Sequence, residues 1–425
     1  MLSSVFPLKK EQGTVLRKNA WMRTAALILI AAVLTFTIAP ASAYADYMEG
    51  DTRYELTLES KKGLQGDYML TREGVTGKHM LLNLYLDVID SACKTEVMQI
   101  VGDTPYYFDP VALSTYTYRL KQAKEKGIDV TLVLLLRGNA HCGAMGMMAV
   151  KQAAYDPNRL YAMDPESEAV EAFFRFIARR FASGSEGAKN IILGNEVNMP
   201  EAWNYTGTDD AEKNADLYAR TFAKLWHIFT NEGNNNTRIY ISLDHSWMDD
   251  GGGKGIPGKV FLDLFHEKIH ALNGECRWNV AYHLYAPVLK KTSSIWKEKR
   301  LVTDEVTTPF IAPGNLHVLT DYLKETYTPS CRVLLSEQGY DIGEGEEIQA
   351  AGIALCYYEA LTNNMVEAAI FRSYVDEGTD GGLDLGLVKP DGTPRKAFQV
   401  YQEMDGKRGL YIMAYYLART KTTWK

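Results

Sequence analysis

The fold of this chain is decided by the stretch Lys189-Asn190-Ile191-Ile192-Leu193-Gly194-Asn195-Glu196-Val197-Asn198. Its three consecutive aliphatic residues, Ile191 to Leu193, predict a strand that is buried on both faces, as in a parallel sheet covered by helices. The strand ends in a polar group that contains Glu196. Barrel enzymes carry their catalytic groups at the C-terminal ends of parallel strands, so this carboxylate is a candidate catalytic residue.

A second stretch repeats this pattern further along the chain, in Arg332-Val333-Leu334-Leu335-Ser336-Glu337-Gln338-Gly339. Here too an apolar strand ends at a glutamate, and two such strands would bring Glu196 and Glu337 to the same pocket. Hydrolysis of a glycosidic bond needs two carboxyl groups, one to protonate the leaving oxygen and one to attack the sugar or activate water. The two stretches therefore predict a glycosidase.

Strand and helix patterns alternate along most of the chain, and eight strands are predicted. They fall near residues 54–60, 79–88, 128–136, 190–197, 238–245, 278–285, 332–338 and 366–375. Eight strands that alternate with helices predict an α/β fold, a single (β/α)8 TIM barrel. A small hairpin insertion is predicted from Gln99 to Asp109. The long βα loops, such as that from Gly138 to Asp164, are expected to bind ligands.

The N-terminal segment predicts export. Residues 24–38 are almost uniformly apolar, follow basic residues, and lead to Ala41 and Ala43 in the A-x-A spacing of a cleavage site. We therefore predict a signal peptide over residues 1–45, with Met1 or Met22 as the start, and a catalytic barrel over residues 46–425. The alternative is an uncleaved anchor, but the run is shorter than the ~20 residues that a membrane span needs. The mature protein is expected to be secreted or extracytoplasmic in a bacterium, without stable membrane insertion.

Composition narrows the range of partners. The net charge of −7 gives no reason to expect nucleic acid as a partner. Aromatic residues make up 11% of the chain, which suits stacking on sugar rings and equally suits a large core. The five cysteines show no C-x-x-C spacing, so no zinc site is predicted. We expect a carbohydrate substrate and neither a metal nor an organic cofactor.

In this count Glu196 ends the fourth strand and Glu337 the seventh, and the chain thereby resembles the clan A retaining glycoside hydrolases. The resemblance implies that Glu196 is the acid/base and that Glu337 is the nucleophile. It also implies that Asn195 binds the sugar 2-hydroxyl and that the substrate is a β-linked oligosaccharide or polysaccharide. A strand-six residue of the clan often holds the nucleophile, a role that falls to Tyr285 or His283 here.

More closely, the chain is similar to a family of secreted bacterial barrel proteins of poorly defined function. The matching motifs are Gly194-Asn195-Glu196-Val197-Asn198, Ser242-Leu243-Asp244-His245-Ser246-Trp247, Ala281-Tyr282-His283-Leu284-Tyr285 and Leu335-Ser336-Glu337-Gln338-Gly339. One departure from the clan lies on the eighth strand, where a tryptophan is common and this chain has Arg372 and Asp376 nearby. We expect Arg372 or Asp376 to bind the substrate there, or the substrate itself to be charged.

Other candidates are polar and aromatic residues at strand ends. His283 and Tyr285 alternate on one strand and share a face, which would place both beside Glu337. The alternative for these two residues is a hydrogen-bonded pair in the core. The remaining candidate sugar contacts, for which plain packing or a lid over the core is the alternative, are His245, Trp247, Trp203 and Arg137.

Two further classes of function compete with the glycosidase. One is a carbohydrate-binding or cell-surface barrel that has kept its carboxylates and lost turnover. A permanent pair between Glu196 and an arginine or lysine would favour this class, whereas carboxyls ~5 Å apart in an open cleft would favour a retaining enzyme. The other class, a metal-dependent hydrolase, is disfavoured.

Overall fold

A computed structural model describes residues 59–418, except for 92, 138–148, 151–155, 157–158, 183–186, 234–235, 329, 377 and 379. The strands are β1 Lys62–Gln65, β2 His79–Tyr85, β3 Met98–Val101, β4 Thr104–Tyr107, β5 Asp129–Leu135, β6 Asn190–Leu193, β7 Arg238–Leu243, β8 Asn279–His283, β9 Val333–Gln338 and β10 Val366–Phe371. All except β3 and β4 form one closed barrel of parallel strands. The predicted TIM barrel is confirmed, and β3 and β4 form the predicted hairpin. The predicted signal peptide lies outside the described residues.

Helices alternate with the barrel strands. They are α1 Tyr68–Thr71, α2 Leu86–Ile89, α3 Pro110–Glu125, α4 Glu168–Phe181, α5 Ala211–Glu232, α6 Gly258–Leu272, α7 Ser294–Lys297, α8 Leu316–Thr326, α9 Glu346–Thr362, α10 Lys396–Glu403 and α11 Gly409–Leu417. Side-chain caps fix several starts: the Asp109 carboxylate accepts from the Val111 N–H at 2.7 Å, directly before α3. None of the described helices is both long and apolar enough to cross a membrane.

Alternate strand residues fill the inside of the barrel. The inward-facing apolar residues are Leu81, Val133, Leu135, Ile192, Tyr240, Ala281, Leu334, Ala368 and Ile370, whereas the larger core lies between the barrel and the helices. Because side chains alternate along a strand, the position after Ala281 on the same face of β8 is His283, and the position after Ile370 is Arg372. Polar side chains therefore line the barrel mouth above an apolar interior.

The first barrel strand lies at Lys62–Gln65 and not near residues 54–60, most of which lie outside the described residues. Gly63 pairs with His79 of β2 and with Ile370 of β10. A Cβ atom on Gly63 would come within 2.8 Å of the His79 carbonyl oxygen and the Ile370 Cγ1. The strand thus needs a glycine, and its sequence carries neither apolar alternation nor β-branched residues, so pattern reading misses it.

A buried ion pair ties β1 to the C-terminal part of the chain. The fully buried Lys62 places its Nζ 2.5 Å from Asp405 Oδ1 and 5.0 Å from the centre of the Tyr401 ring. A buried ammonium needs such a partner because its desolvation is costly. Helix α11 follows closely and buries Met413 and Tyr416.

Gly63→Ala is expected to lower the free energy of unfolding by about 1–3 kcal/mol, because the added methyl group forces two neighbouring strands apart. Chemical denaturation of the full chain measures this change. Gly314→Ala is the matched control, since a Cβ atom there meets only the Ile295 carbonyl oxygen at 3.5 Å. Equal unfolding midpoints for the two variants would contradict the close packing of β1.

Candidate active site

The backbone turns sharply after β6 and thereby directs Glu196 into the barrel mouth. Gly194 has φ of +75°, and Glu196 itself has φ of +41°, a left-handed conformation that residues with a side chain rarely adopt. The turn is held from β7, because the Glu196 N–H donates to Ser242 Oγ at 3.1 Å and the Val197 N–H donates to the Ser242 carbonyl oxygen at 2.9 Å. The strand consequently ends at Leu193, four residues earlier than predicted.

Asn198 and Asp244 lock the loop that carries Glu196 onto the end of β7. Asn198 Nδ2 donates to Asp244 Oδ1 at 2.8 Å, and the Asp244 N–H donates back to Asn198 Oδ1 at 3.1 Å. The Ser246 N–H and hydroxyl also donate to the Asp244 carboxylate, at 3.0 and 2.8 Å. The sequence analysis gives Asn198 and Asp244 no role, although both residues belong to the motifs that match the barrel family. They support the position of Glu196.

The first carboxyl group pairs with a histidine. Glu196 Oε1 lies 2.7 Å from His283 Nδ1, and His283 is buried on the sixth barrel strand, β8. Burial raises the pKa of Glu196; His283 lowers it, Asp244 and Glu337 raise it further, and the net shift is upward. Burial lowers the pKa of His283, but the charges of Glu337 and Glu196 outweigh this and raise it. The pair is therefore arranged to hold a proton.

The second carboxyl group accepts two hydrogen bonds on a single oxygen. The Tyr285 hydroxyl donates to Glu337 Oε1 at 2.9 Å, and Arg372 Nη1 donates to the same atom at 2.8 Å. Within the described part of the chain, no group donates a hydrogen bond to Glu337 Oε2. Burial alone would raise the pKa of Glu337, but Arg372, His283 and Tyr285 together lower it below the usual range.

Arg372 lies between two carboxylates. Besides its bond to Glu337, its Nε donates to Asp380 Oδ1 at 2.8 Å, and its Nη2 contacts the same oxygen. The peptide bond between Arg372 and Ser373 is cis. The structure thus gives this predicted substrate ligand two protein partners. The other candidate on this segment, Asp376, is held by Arg395 Nη2 at 2.6 Å, and both side chains are only 7% exposed.

Two residues predicted to contact the sugar, His245 and Trp247, lie in different surroundings. His245 is partly exposed, stacks on Phe310 with ring centres 5.2 Å apart, and meets the edge of Tyr285 at 6.3 Å. It therefore lies beside the site. Trp247 is fully buried, and its indole N–H donates to the Val306 carbonyl oxygen at 2.9 Å. Buried in this way, the indole packs in the core and offers no face to a sugar ring.

The remaining candidates lie around the end of β5 and after β6. The guanidinium carbon of Arg137 lies 4.1 Å from the centre of the Tyr85 ring, and its Nη2 lies 3.3 Å from Asp87 Oδ2. Trp203 follows the Glu196 turn and is 37% exposed, so its ring is accessible. Asn195 is half-buried next to Glu196. The sugar-binding roles of these residues stay predictions.

Helix α6 contains the H-E-x-x-H spacing of many zinc hydrolases, in His266-Glu267-Lys268-Ile269-His270. The prediction disfavoured a metal-dependent hydrolase on the ground that the sequence has no such spacing, and that ground is wrong. The two imidazole rings lie 6.1 Å apart and nearly parallel, and His266 packs on Tyr327 and Trp278. Over the residues that the structure describes, no three His, Cys, Asp or Glu side chains are grouped to hold a metal ion. The motif belongs to helix packing.

The fold, a closed (β/α)8 barrel, resembles that of solved β-glucosidases. A hyperthermophilic β-glucosidase from Pyrococcus furiosus superposes with a TM-score of 0.55 at 14% identity, covering 84% of this chain and 87% of that one. The apo structure of a β-glucosidase designated 1317 gives a TM-score of 0.51 at 14% identity, covering 80% and 86%. At such identities the likeness concerns the fold alone.

The chain belongs to the family of unknown function DUF5722, whose model matches residues 55–421. This agrees with the predicted resemblance to a barrel family of undefined function. No curated protein matches the chain.

Asn198→Ala is expected to lower the free energy of unfolding by about 1–3 kcal/mol, because it leaves the buried Asp244 without two hydrogen bonds. Urea denaturation measures the change. Asn273→Ala is the control, since Asn273 caps only an exposed turn, through the Glu275 N–H. A stability equal to that of the control would mean that the loop is held by other contacts.

Proposed function

We propose that this protein is an exported glycosidase that hydrolyses a β-linked oligosaccharide or polysaccharide with retention of configuration. Glu337 is the nucleophile and Glu196 is the acid/base in this proposal. Export rests on the apolar run of residues 24–38 and the A-x-A spacing of Ala41 and Ala43. The β-linkage rests on the clan resemblance of the sequence motifs around Glu196 and Glu337.

The observation that carries the proposal is the pair of carboxyl groups in one barrel mouth with different partners: Glu196 contacts His283, whereas Glu337 accepts from Arg372 and Tyr285. The pKa of Glu196 is raised chiefly by burial. The pKa of Glu337 is lowered despite its burial, because Arg372, His283 and Tyr285 stabilise its charge. A carboxyl group with a raised pKa beside one with a lowered pKa is the pairing that general acid catalysis and nucleophilic attack require.

The reaction proceeds in two steps. First, Glu337 attacks the anomeric carbon through Oε2, which accepts no hydrogen bond from the described residues, while Glu196 transfers its proton to the leaving oxygen. The glycosidic bond breaks and a glycosyl ester forms. Second, Glu196, now ionised, removes a proton from water, and the resulting hydroxide attacks the same carbon. The ester bond breaks, the Glu337 carboxylate is regenerated, and Glu196 is again protonated.

The contacts of Glu196 favour an enzyme over a non-catalytic carbohydrate-binding barrel. A permanent ion pair with arginine or lysine would keep Glu196 ionised and unable to donate a proton. Its partner is His283, an imidazole that can itself take up and release a proton. The pair can therefore lose and regain the proton that the two steps need.

Hydrolysis of a panel of aryl β-glycosides and polysaccharides by the wild type tests the proposal. Glu196→Ala and Glu337→Ala are each expected to lower kcat by about 10²-fold or more, since each removes one chemical role. Added azide should rescue Glu337→Ala with formation of a glycosyl azide of inverted configuration, because azide enters from the vacated face.

Glu367→Gln is the matched control for these variants. This carboxylate lies near the start of β10 and accepts from Tyr240 at 2.7 Å, within a different polar group of the barrel. The activity of Glu367→Gln should remain close to that of the wild type. Wild-type turnover that persists in Glu337→Ala contradicts the nucleophile assignment. Sugar binding without turnover across the panel favours the non-catalytic barrel.

The pH profile of kcat/KM should be bell-shaped. Activity needs ionised Glu337, whose pKa is lowered, so the midpoint of the acid limb should lie below the ordinary glutamate pKa of 4.5. Activity also needs protonated Glu196, whose pKa is raised, so the midpoint of the basic limb should lie above 4.5. With an activated aryl leaving group, Glu196→Gln should remove the basic limb and leave the acid limb in place. A basic limb unchanged in this variant would assign the proton to another group.

A further inference from the structure

We infer that Arg372, held in place by Asp380, is a positioning residue that fixes the Glu337 carboxylate with Oε1 anchored and Oε2 free to attack the sugar. This inference rests on the proposed function and extends it. It gives Arg372 a role different from the direct substrate contact that the sequence predicts.

The geometry of the guanidinium group supports this role. Arg372 directly follows the eighth barrel strand, at the next inward-facing position after Ile370. Its Nε and Nη2 are both taken by Asp380, and its Nη1 donates to Glu337 Oε1 at 2.8 Å. Because the guanidinium is planar and rigid, a fixed Nε–Nη2 edge also fixes the direction of Nη1. Asp380 thus determines where Glu337 is held.

Asp380 matters most when Glu337 carries no charge. In the covalent intermediate Glu337 is an ester: Oε2 is bonded to the sugar, and Oε1 is its carbonyl oxygen. The attraction between Arg372 and Glu337 is then much reduced, whereas the Asp380 carboxylate, only 7% exposed, retains its full charge. Asp380 therefore keeps Arg372 in position until water attacks. Arg372 and Tyr285 can then both donate to the departing carboxylate, through the same oxygen that they contact at rest.

A substrate-binding role and a positioning role for Arg372 predict different effects of its substitution. A substrate-binding arginine would contribute equally to the ground state and the transition state, so its loss would raise KM. A positioning arginine acts on the nucleophile, so its loss would lower kcat and change the titration of Glu337. The experiment measures both effects.

The first measurement needs no substrate. The full chain, labelled with ¹³C at glutamate side-chain carboxyls, is titrated by NMR, and Glu337→Gln assigns the Glu337 signal. Arg372→Gln should raise the Glu337 pKa by about one unit or more, because an adjacent cation is lost. Arg372→Lys keeps the charge and should restore most of the shift. Lys189→Gln is the control, since Lys189 pairs with Asp129 before β6, and it should leave the signal unchanged.

The second measurement is steady-state kinetics on the best substrate of the panel. Arg372→Gln should lower kcat by about 10²-fold with little rise in KM, and its acid limb should move to higher pH. Arg372→Lys should keep the acid limb but not the full kcat, because an ammonium cannot bridge both carboxylates in one plane. Asp380→Asn should lower kcat while Arg372 remains present. Circular dichroism establishes that each variant is folded. If Arg372→Gln does not fold, Arg372→Lys is used for the kinetic comparison.

An unchanged Glu337 titration in folded Arg372→Gln would overturn the inference, as would a loss confined to KM. The two proposals fail in different ways. A wild type that hydrolyses no sugar, while its Glu337 titration still depends on Arg372, counts against the glycosidase and supports the positioning role. A wild type that is active, with a Glu337 titration independent of Arg372, supports the glycosidase and overturns the positioning role.

Discussion

The hydrogen bonds of β1 to both β10 and β2 close the barrel, and the position of every side chain at the mouth depends on this closure. In an open sheet Glu196 and Glu337 would lie on strands separated by two others, each about 4.8 Å from the next. Closure turns both residues towards one axis. Strand β8 and the segment directly after it then serve both carboxyl groups, because His283 contacts Glu196 and Tyr285 contacts Glu337.

Two glutamates in one water-poor mouth would repel each other if both were ionised. The residues around the two glutamates reduce this repulsion because they shift the two pKa values in opposite directions. Glu337 receives a cation and a hydroxyl donor, whereas Glu196 receives a histidine and faces the negative Asp244. The charge pattern is thus built into the strands beside each glutamate, since Arg372 follows β10 and Asp244 follows β7.

Much of this arrangement can be predicted from sequence, because it depends on local patterns. Apolar strands that end in a glutamate identify Glu196 and Glu337, and the two-residue alternation places His283 and Tyr285 on one face. The position of β1 cannot be predicted this way, because close backbone packing and a buried lysine define that strand.

Other features depend on contacts between distant residues. Sequence does not show that Trp247 is buried, that Asn198 meets Asp244, or that Arg372 is shared by Glu337 and Asp380. An accessible sugar platform and a buried indole have the same sequence pattern. The packing of the His266 ring on Tyr327 and beside His270 likewise cannot be read from the spacing of the two histidines in α6.

The pairing of Lys62 with Asp405 has a consequence for how the polypeptide acquires its structure. The two residues are 343 positions apart, so the strand that completes the barrel gains its charge partner only after nearly all of the chain has been synthesised. A nascent chain that lacks its last part would leave this lysine unpaired, and long-range contacts of this kind make folding slow. The barrel can therefore gain this contact only after Asp405, near the end of the chain, has been synthesised.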